Sequence, residues 1–526
     1  MPVVTQTPTV PRQARTRPSS LRAHVRQEAR RRLAPLDRYL DPYAWYAALA
    51  VTMIAGMLRL NNLAQPTGKI FDETYYATDA HWLWEKGFEW NESENGPGYV
   101  VHPPLGKWII GIGEQLFGYN ETGWRFSAAI VGTASVLMLV RIAQRLFGST
   151  VLACTAGLLL AFDGMHFVLS RTALLDIYLM FFVLAAFGAV VLDRDHRRRR
   201  WARFIEGGGD PAGSGRASRP PREVPWWRLA AAVLMGCALA VKWSALAFLP
   251  VLVLLILWWE VGARRTAGAR HPVRDAVLDE TGWLLACVPL VLGVYLASWS
   301  GWLLTDGGFY RHWLRDSGQP EPAFWGALQN LWHYHVEAYT FHSGLQTAHA
   351  YQSAHGWAPI QWLLQGRPVL FYRSGDAACG APTCMAYVLL LGTPLLWWSF
   401  LPALLAAVWF GVARRDWRAA AVLAMAGAAL LPWFAYPNRT MFSFYALPAE
   451  PFLILAVVFV LGAIMSAPPG RPRDEDRVMI GAIAAGTYVL LVVLAFAWFH
   501  PLYVGQSIPY DDWSRHMLLG DLWGAD

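Results

Sequence analysis

Two neighbouring carboxylates, Asp72 and Glu73, stand in the segment Phe71-Asp72-Glu73-Thr74-Tyr75-Tyr76. Adjacent acids among aromatic side chains are a candidate general base with an orienting partner. The same pattern is that of a helix start, with Asp72 as N-cap and Glu73 in a first turn whose dipole favours acids. The two readings are compatible, because a capping turn also fixes side-chain direction. His102-Pro103-Pro104-Leu105-Gly106-Lys107 follows. Its double proline forces an extended backbone, and Lys107 then falls in the first turns of a short helix. Lys107 could hold a phosphate and His102 could hydrogen-bond one; Lys107 could equally snorkel to a membrane interface. Arg125, Arg171, Lys242 and Arg439 stand at the ends of apolar runs. Charges there are costly unless paired or functional. An ion pair of Arg171 with Asp176 or Asp163 is the structural reading; four cations gathered beside a carboxylate pair would suit a lipid phosphate. Lys242 is the most telling, because the Arg-rich chain has only four Lys and this one interrupts the apolar run 227–260.

The elements that must position these residues are membrane spans. The chain has 526 residues, 55% hydrophobic and 15% charged, against about 25% charged in a soluble domain. Its 28 Trp, 25 Phe and 20 Tyr suit membrane interfaces. A helical span takes about 20 apolar residues. Such runs lie near 43–60, 124–142, 150–168, 174–192, 227–241, 244–260, 281–299, 388–411, 419–435, 445–466 and 479–499. As one helix, 227–260 would be about 50 Å long, against an apolar slab of about 30 Å, so it must bend near Lys242. Pro437, Asn438 and Arg439 break the stretch 419–466. The expected architecture is an all-α polytopic membrane protein of about eleven transmembrane helices, with surface-lying helices in its outer loops.

Arg placement gives orientation. With the N-terminus inside, the inner loops hold Arg141 and Arg145; Arg197 to Arg200; Arg264, Arg265, Arg270 and Arg274; Arg414, Arg415 and Arg418; and Arg471, Arg473 and Arg477. Residues 1–40, with nine Arg against Glu28 and Asp37, read as a disordered basic cytoplasmic tail beside anionic lipid, not a nucleic-acid-binding segment. Outer segments are then 61–123, with nine Asp/Glu against three Lys, the long loop 300–387, and an extracytoplasmic tail 500–526 ending in acids that include Asp526. The catalytic domain would occupy 41–499. Cys379 and Cys384 lie five apart in a polar Gly/Pro-rich segment, a disulfide candidate if that segment faces outward. His333, His335, His342, His349 and His355 lack the spacing of a helix-borne zinc motif and are assigned to packing and interfacial hydrogen bonding. The absence of a Walker motif argues against an ATP-driven pump.

Taken in order, the motifs resemble the actinobacterial protein O-mannosyltransferases. They are Asp72-Glu73-Thr-Tyr-Tyr, Val101-His102-Pro-Pro-Leu-Gly-Lys107, Gly123-Trp124-Arg125-Phe, Ser170-Arg171-Thr-Ala-Leu-Leu-Asp176, Val241-Lys242-Trp243-Ser, Leu391-Gly392-Thr-Pro-Leu-Leu-Trp397-Trp398 and Asn438-Arg439-Thr-Met-Phe-Ser-Phe-Tyr445. Gln361 to Tyr372 and the Cys379/Cys384 pair fit as well. The resemblance implies a GT-C glycosyltransferase fold, a polyprenyl-phosphate mannose donor, and a Ser or Thr acceptor on a secreted or membrane protein, with the secretion translocon a candidate partner. It implies inverting transfer at the extracytoplasmic face. Asp72 would be the base and Glu73 its support. His102, Lys107, Arg125, Arg171, Lys242 and Arg439 would serve the phosphate, with Arg125 and Lys242 foremost. No metal is required, although some GT-C relatives hold a divalent ion at the position of Asp72/Glu73. The rivals are a GT-C enzyme with a lipid or glycan acceptor, and a transporter or flippase. The latter calls for repeat symmetry and polar residues at mid-membrane depth, which the chain lacks.

Overall fold

The computed structural model describes residues 27–36, 42–213, 215–375, 378–465 and 475–523. Most of the 1–40 tail, together with Arg471, Arg473 and Asp526, lies outside the described residues. The chain forms two compact units. The smaller comprises Met1–Pro35, Arg194–Val224 and Leu257–Glu280; the larger comprises Leu36–Asp193, Pro225–Ile256 and Thr281–Asp526. In the smaller unit Leu33, Trp201, Ile205, Ala263 and Ala267 share an apolar cluster. Arg264 pairs there with Glu260 at 3.1 Å and Asp279 at 3.0 Å, and Arg197 with Glu280 at 3.1 Å. Arginine runs read as loops are thus neutralised in part by acids of the same unit.

In chain order the helices that matter are α1 (Ala44–Leu60), α2 (Glu73–Lys86), α3 (Leu105–Phe117), α4 (Glu121–Phe147), α5 (Thr150–Ala161), α6 (Gly164–Leu169), α7 (Leu175–Glu206) and α8 (Trp226–Leu239). They continue with α9 (Phe248–Ala267), α10 (Pro272–Ser298), α11 (Gly326–Gly344), α12 (Pro394–Val412), α13 (Trp417–Leu430), α14 (Glu450–Met465) and α15 (Glu475–Val504). Among the described residues eight helices are long and apolar enough to cross a membrane, and α1, α5 and α8 are shorter apolar helices. The eleven expected spans are therefore eight helices of spanning length and three short ones. The bend expected near Lys242 is present: α8 ends at Leu239, and a 3-10 turn, Trp243–Ala247, leads into α9.

Two expected spans are interrupted. The run 150–168 breaks at Asp163, which caps α6 by accepting the His166 N–H at 3.0 Å. Arg59 satisfies the buried C-terminal end of α5, donating to the Leu160 and Ala161 carbonyls at 3.2 and 3.4 Å. The run 388–411 begins as a strand, and its helix starts only at Pro394, since a residue before proline disfavours helical angles. The described residues also include small β elements alongside the helices. β1 (Trp90–Asn91) pairs with β2 (Gly96–Pro97), and β3 (Val369–Ser374), β4 (Cys384–Leu390) and β5 (Ser507–Pro509) form one antiparallel sheet. An apolar run of strand length cannot be told from buried helix by periodicity alone.

Burial separates inner helices from outer ones. The Ser443–Met465 segment is 83% buried over its most apolar window and α7 is 72% buried, against 17% for α15. On α15 the buried side carries Gly481, Ala485, Val492, Phe496 and Phe499, while Ile483, Leu490, Leu494 and Trp498 face out. Small residues on the packing side are what helix association in lipid needs. In the second long loop, α11 buries Leu331 and Tyr334 against Trp299 and Trp302 and exposes Trp332 and Tyr339, with Trp325 exposed at its N-cap. An exposed aromatic stripe of this kind suits a membrane interface.

Candidate active site

The start of α2 is fixed from beneath by a buried ion pair. Glu73, wholly buried, accepts from Arg125 Nε and Nη2, each at 2.9 Å, and from the Ile70 and Ala173 backbone N–H groups at 3.0 Å. Arg125 also donates to the Leu63, Pro66 and Gly68 carbonyls at 3.3, 2.8 and 3.0 Å. A bidentate pair with these extra bonds satisfies both charges away from water. Every Arg125 side-chain nitrogen is thus engaged, and the Arg125–Glu73 pair ties α4, the 63–70 loop and the turn before α7 to the first residue of α2. Glu73 is an anchor for the helix that carries Asp72. Its saturated oxygens and the adjoining guanidinium do not fit a divalent metal shared with Asp72.

Lys107 and Arg171 are also committed elsewhere. Lys107, buried in α3, pairs closely with Glu89 and at 3.5 Å with Asp79. Burial raises the Asp79 carboxyl to about 6, with Lys107 opposing. Arg171 does not pair with Asp176 or Asp163. It donates to the Arg59, Asn61 and Asn62 carbonyls at 2.8, 2.6 and 2.9 Å, closing the C-terminal end of α1. Arg171→Met should lower stability by about 1–3 kcal/mol through these orphaned carbonyls. It should leave the KM for the donor that the resemblance implies unchanged; thermal melting and titration with that donor check both.

The remaining candidates converge. Gly106 of α3 packs so closely that a Cβ would lie 2.6 Å from the Leu175 side chain and 3.3 Å from that of Val241. The Leu105 N–H donates to the Ala240 carbonyl at 3.0 Å. This contact brings the His102 turn, the start of α7 and the end of α8 together. Lys242 Nζ donates to Asp176 Oδ2 at 2.7 Å, both side chains being buried. An ammonium has three donors, and this bond uses one. Lys242 also lies over the Phe444 and Tyr445 rings at 5.8 and 5.7 Å. With His102, His342 and Arg439 it lines a cavity of about 480 Å³. Arg439 donates to the His342 and Thr440 carbonyls at 2.9 and 3.2 Å, and its other terminal nitrogen has no hydrogen-bond partner among the described residues. Leu179, Leu246, Phe248 and Pro432 supply apolar wall. The cavity thus offers two cations with spare donors beside a greasy surface.

Asp72 occupies the N-cap position of α2 but makes no capping hydrogen bond; its backbone is helical, φ −71° and ψ −3°, rather than extended. Burial raises its carboxyl to about 6, against the pull of Lys242 and with help from Asp176. A carboxylate with no capping hydrogen bond, pushed up to about 6 by burial, is suited to accept a proton. His102 is pushed well below the imidazole range, first by burial and then by Lys242; burial takes His342 to about 4. Both rings are neutral donors or acceptors at neutral pH, their centroids 4.9 Å apart.

Of the sequence-derived residues, His102, Lys242 and Arg439 meet at the cavity, with Asp72 in electrostatic reach of Lys242. Lys107, Arg125 and Arg171 do not. Tyr76, one turn beyond Asp72 and 6.2 Å ring to ring from His102, belongs to the same cluster, although the sequence reading assigns it no role. Its position four residues on, on one helical face, was the available signal. His342, which the sequence reading assigns to packing, lines the cavity and has no local signature that distinguishes it. Cys379 and Cys384 are bonded, with a Cα separation of 5.8 Å.

Family models for dolichyl-phosphate-mannose-protein mannosyltransferase and for the C-terminal four-helix region of protein O-mannosyltransferase match residues 101–205 and 327–523. Polyprenol-phosphate-mannose–protein mannosyltransferases of Mycolicibacterium smegmatis and Mycobacterium tuberculosis are 39% identical over 503 residues, covering 92% of this chain and 93% and 92% of theirs. The Corynebacterium glutamicum protein of that name is 33% identical over 89% of this chain and 91% of its own. The fold matches the Saccharomyces cerevisiae Pmt1–Pmt2 complex solved with its sugar donor, with a TM-score of 0.70 at 14% identity, covering 97% and 96% of the two chains. Cupriavidus metallidurans ArnT, solved with undecaprenyl phosphate, matches with a TM-score of 0.50 at 16% identity over 89% and 76%. The likeness is to the GT-C glycosyltransferase fold. This chain belongs to the protein O-mannosyltransferase family, as a multi-pass membrane enzyme.

Proposed function

We propose that this chain transfers mannose from polyprenyl-phosphate mannose to Ser or Thr hydroxyls of proteins at the extracytoplasmic face, with inversion and with Asp72 as base. The names of the relatives support donor and acceptor class. The observation that carries the chemistry is Asp72: a carboxylate free of capping bonds, beside a cationic cavity with an apolar wall. Asp72 takes the proton of the acceptor hydroxyl as its oxygen bonds to the anomeric carbon. The bond from that carbon to the phosphate oxygen breaks, and the lipid phosphate leaves with the electron pair. Lys242 and Arg439 hold that charge, and the apolar wall receives the first prenyl units. A lipid phosphate is already a good leaving group, so one base and preorganised cations suffice. The Cys379–Cys384 bond in the 300–387 loop supports a non-cytosolic position for that loop. Docking on the secretion channel, which would present unfolded acceptor, belongs to the same reading and is testable by crosslinking.

Incubating the purified enzyme with labelled polyprenyl-phosphate mannose and a Ser/Thr-rich peptide tests it: label should pass to the peptide. Unlabelled peptide beside labelled glycolipid would instead favour the lipid-acceptor enzyme. Lys242→Ala combined with Asp176→Asn, which removes the orphaned acid, should raise the donor KM about 10- to 100-fold through a lost charge-assisted bond. An unchanged donor KM and kcat would make Lys242 a packing residue.

A further inference from the structure

The backbone just before Asp72 is held where its side chain disfavours it. Phe71 has φ +47°, in the left-handed region that bulky residues rarely enter. Such an angle persists only when the surroundings enforce it, and here they are aromatic. The Phe71 ring stacks on Phe371 with centroids 4.4 Å apart and planes 8° from parallel. It meets Phe442 and Phe444 edge-on at 6.4 and 5.9 Å. Phe371 lies where the β3–β4 register shifts, between Leu370 and Tyr372. A bulge of this kind re-aims the side chain of the extra residue. Phe444, in the same ring cluster, lies under the Lys242 ammonium at 5.8 Å. One group of rings therefore touches both the residue that precedes the base and the cation of the cavity.

We propose that Phe371 is a positioning residue for the transfer: by stacking on Phe71 it keeps Asp72 out of the capping geometry and turned toward Lys242. The inference rests on Asp72 being the base. Its local alternative is explicit. If Phe71 relaxed to ordinary angles, Asp72 could adopt the extended backbone of a true N-cap and accept the N–H groups of the first turn of α2. Hydrogen bonds to the charged form favour it, so the base would be weakened as well as misplaced. Burial, Lys242 and Asp176 set its charge, and Tyr76 stands one turn on; of these groups Lys242 is linked to Phe371 through the Phe444 ring, so donor KM is measured alongside kcat.

The experiment compares Phe371→Ala and Phe371→Tyr in the full-length enzyme, measuring kcat, donor KM and the acid limb of the pH–rate profile. The alanine variant should lose about 30- to 100-fold in kcat, as a small misplacement of a reacting group does. Its donor KM should stay within about twofold, since binding groups keep their places. Its acid limb should move from about 6 toward the ordinary Asp value of about 4. Phe371→Tyr keeps the stack and should restore both rate and limb. A kcat loss with an unmoved acid limb, an equal loss in the tyrosine variant, or an unchanged alanine variant overturns the proposal. Asp72→Asn run alongside separates the two failures. An active Asp72→Asn enzyme removes the base itself, whereas an inactive one beside a normal Phe371→Ala enzyme removes only the positioning role.

Discussion

Asp72→Asn should abolish mannosyl transfer while the protein still folds and binds donor. The substitution keeps the shape of the side chain and removes its basicity. General-base contributions run to about 10²–10⁴-fold, and kcat should fall within that range. The side chain carries no hydrogen bond whose loss would destabilise α2, so thermal melting should be unchanged. Donor affinity should persist because Lys242 and Arg439 remain. Activity of the parent enzyme should have an acid limb near 6, where the carboxylate takes up its proton. The sign is fixed by the role: the base works deprotonated, so rate falls as pH drops through that value and levels above it. Transfer at more than about a tenth of the parent rate would fall short of a general-base contribution and remove the assignment.

Arg125→Ala is the second large effect, and it is one of stability. Removing one partner of a buried pair leaves the other charge without compensation, at about 3–5 kcal/mol. Here it also strands the carbonyls of Leu63, Pro66 and Gly68. The variant should express poorly and melt far below the parent. Arg125→Ala with Glu73→Gln should recover part of the loss, because the uncompensated charge is gone. If Arg125→Ala instead melts normally and only donor KM rises, Arg125 serves the phosphate after all. The contrast with Lys242 is the point: both are buried cations, but every nitrogen of one guanidinium is occupied, whereas the ammonium has donors to spare.

Much of the arrangement is legible in the amino-acid sequence. The break at Lys242 followed from arithmetic, since no straight helix of that length fits a bilayer. The stretch 419–466 is broken as expected, but α13 already ends at Leu430, where Pro432 opens a 3-10 turn over Leu431–Ala435, and Pro437 to Arg439 fall in the non-helical segment beyond it. The Asp163 interruption was less visible, because a single acid in an apolar run signals a cap only when partners such as the Thr393 N–H and Trp397 Nε1–H stand opposite, at 3.0 and 2.8 Å. The strand 384–390 was hidden for a related reason. Its residues are as apolar as a span, and only pairing with β3 and β5 makes them extended.

The sequence by itself determined a polytopic membrane chain, the family motifs in order, and the short roll of acids and cations from which a site could be built. That much depends on hydropathy, length and residue type, which are local properties. Which cations are free was decided only in three dimensions. Arg125, Arg171 and Lys107 look from the chain like Lys242 and Arg439, since a charge in an apolar neighbourhood is anomalous whether it is spent or available. Spending requires partners 18 to 112 residues away, namely Glu89 for Lys107, Glu73 for Arg125 and the α1 carbonyls for Arg171. The uncapped state of Asp72 was settled in the same way. A helix-start motif dictates the position of the residue, whereas the left-handed Phe71 backbone before it and the ring stacked there exist only in the folded chain.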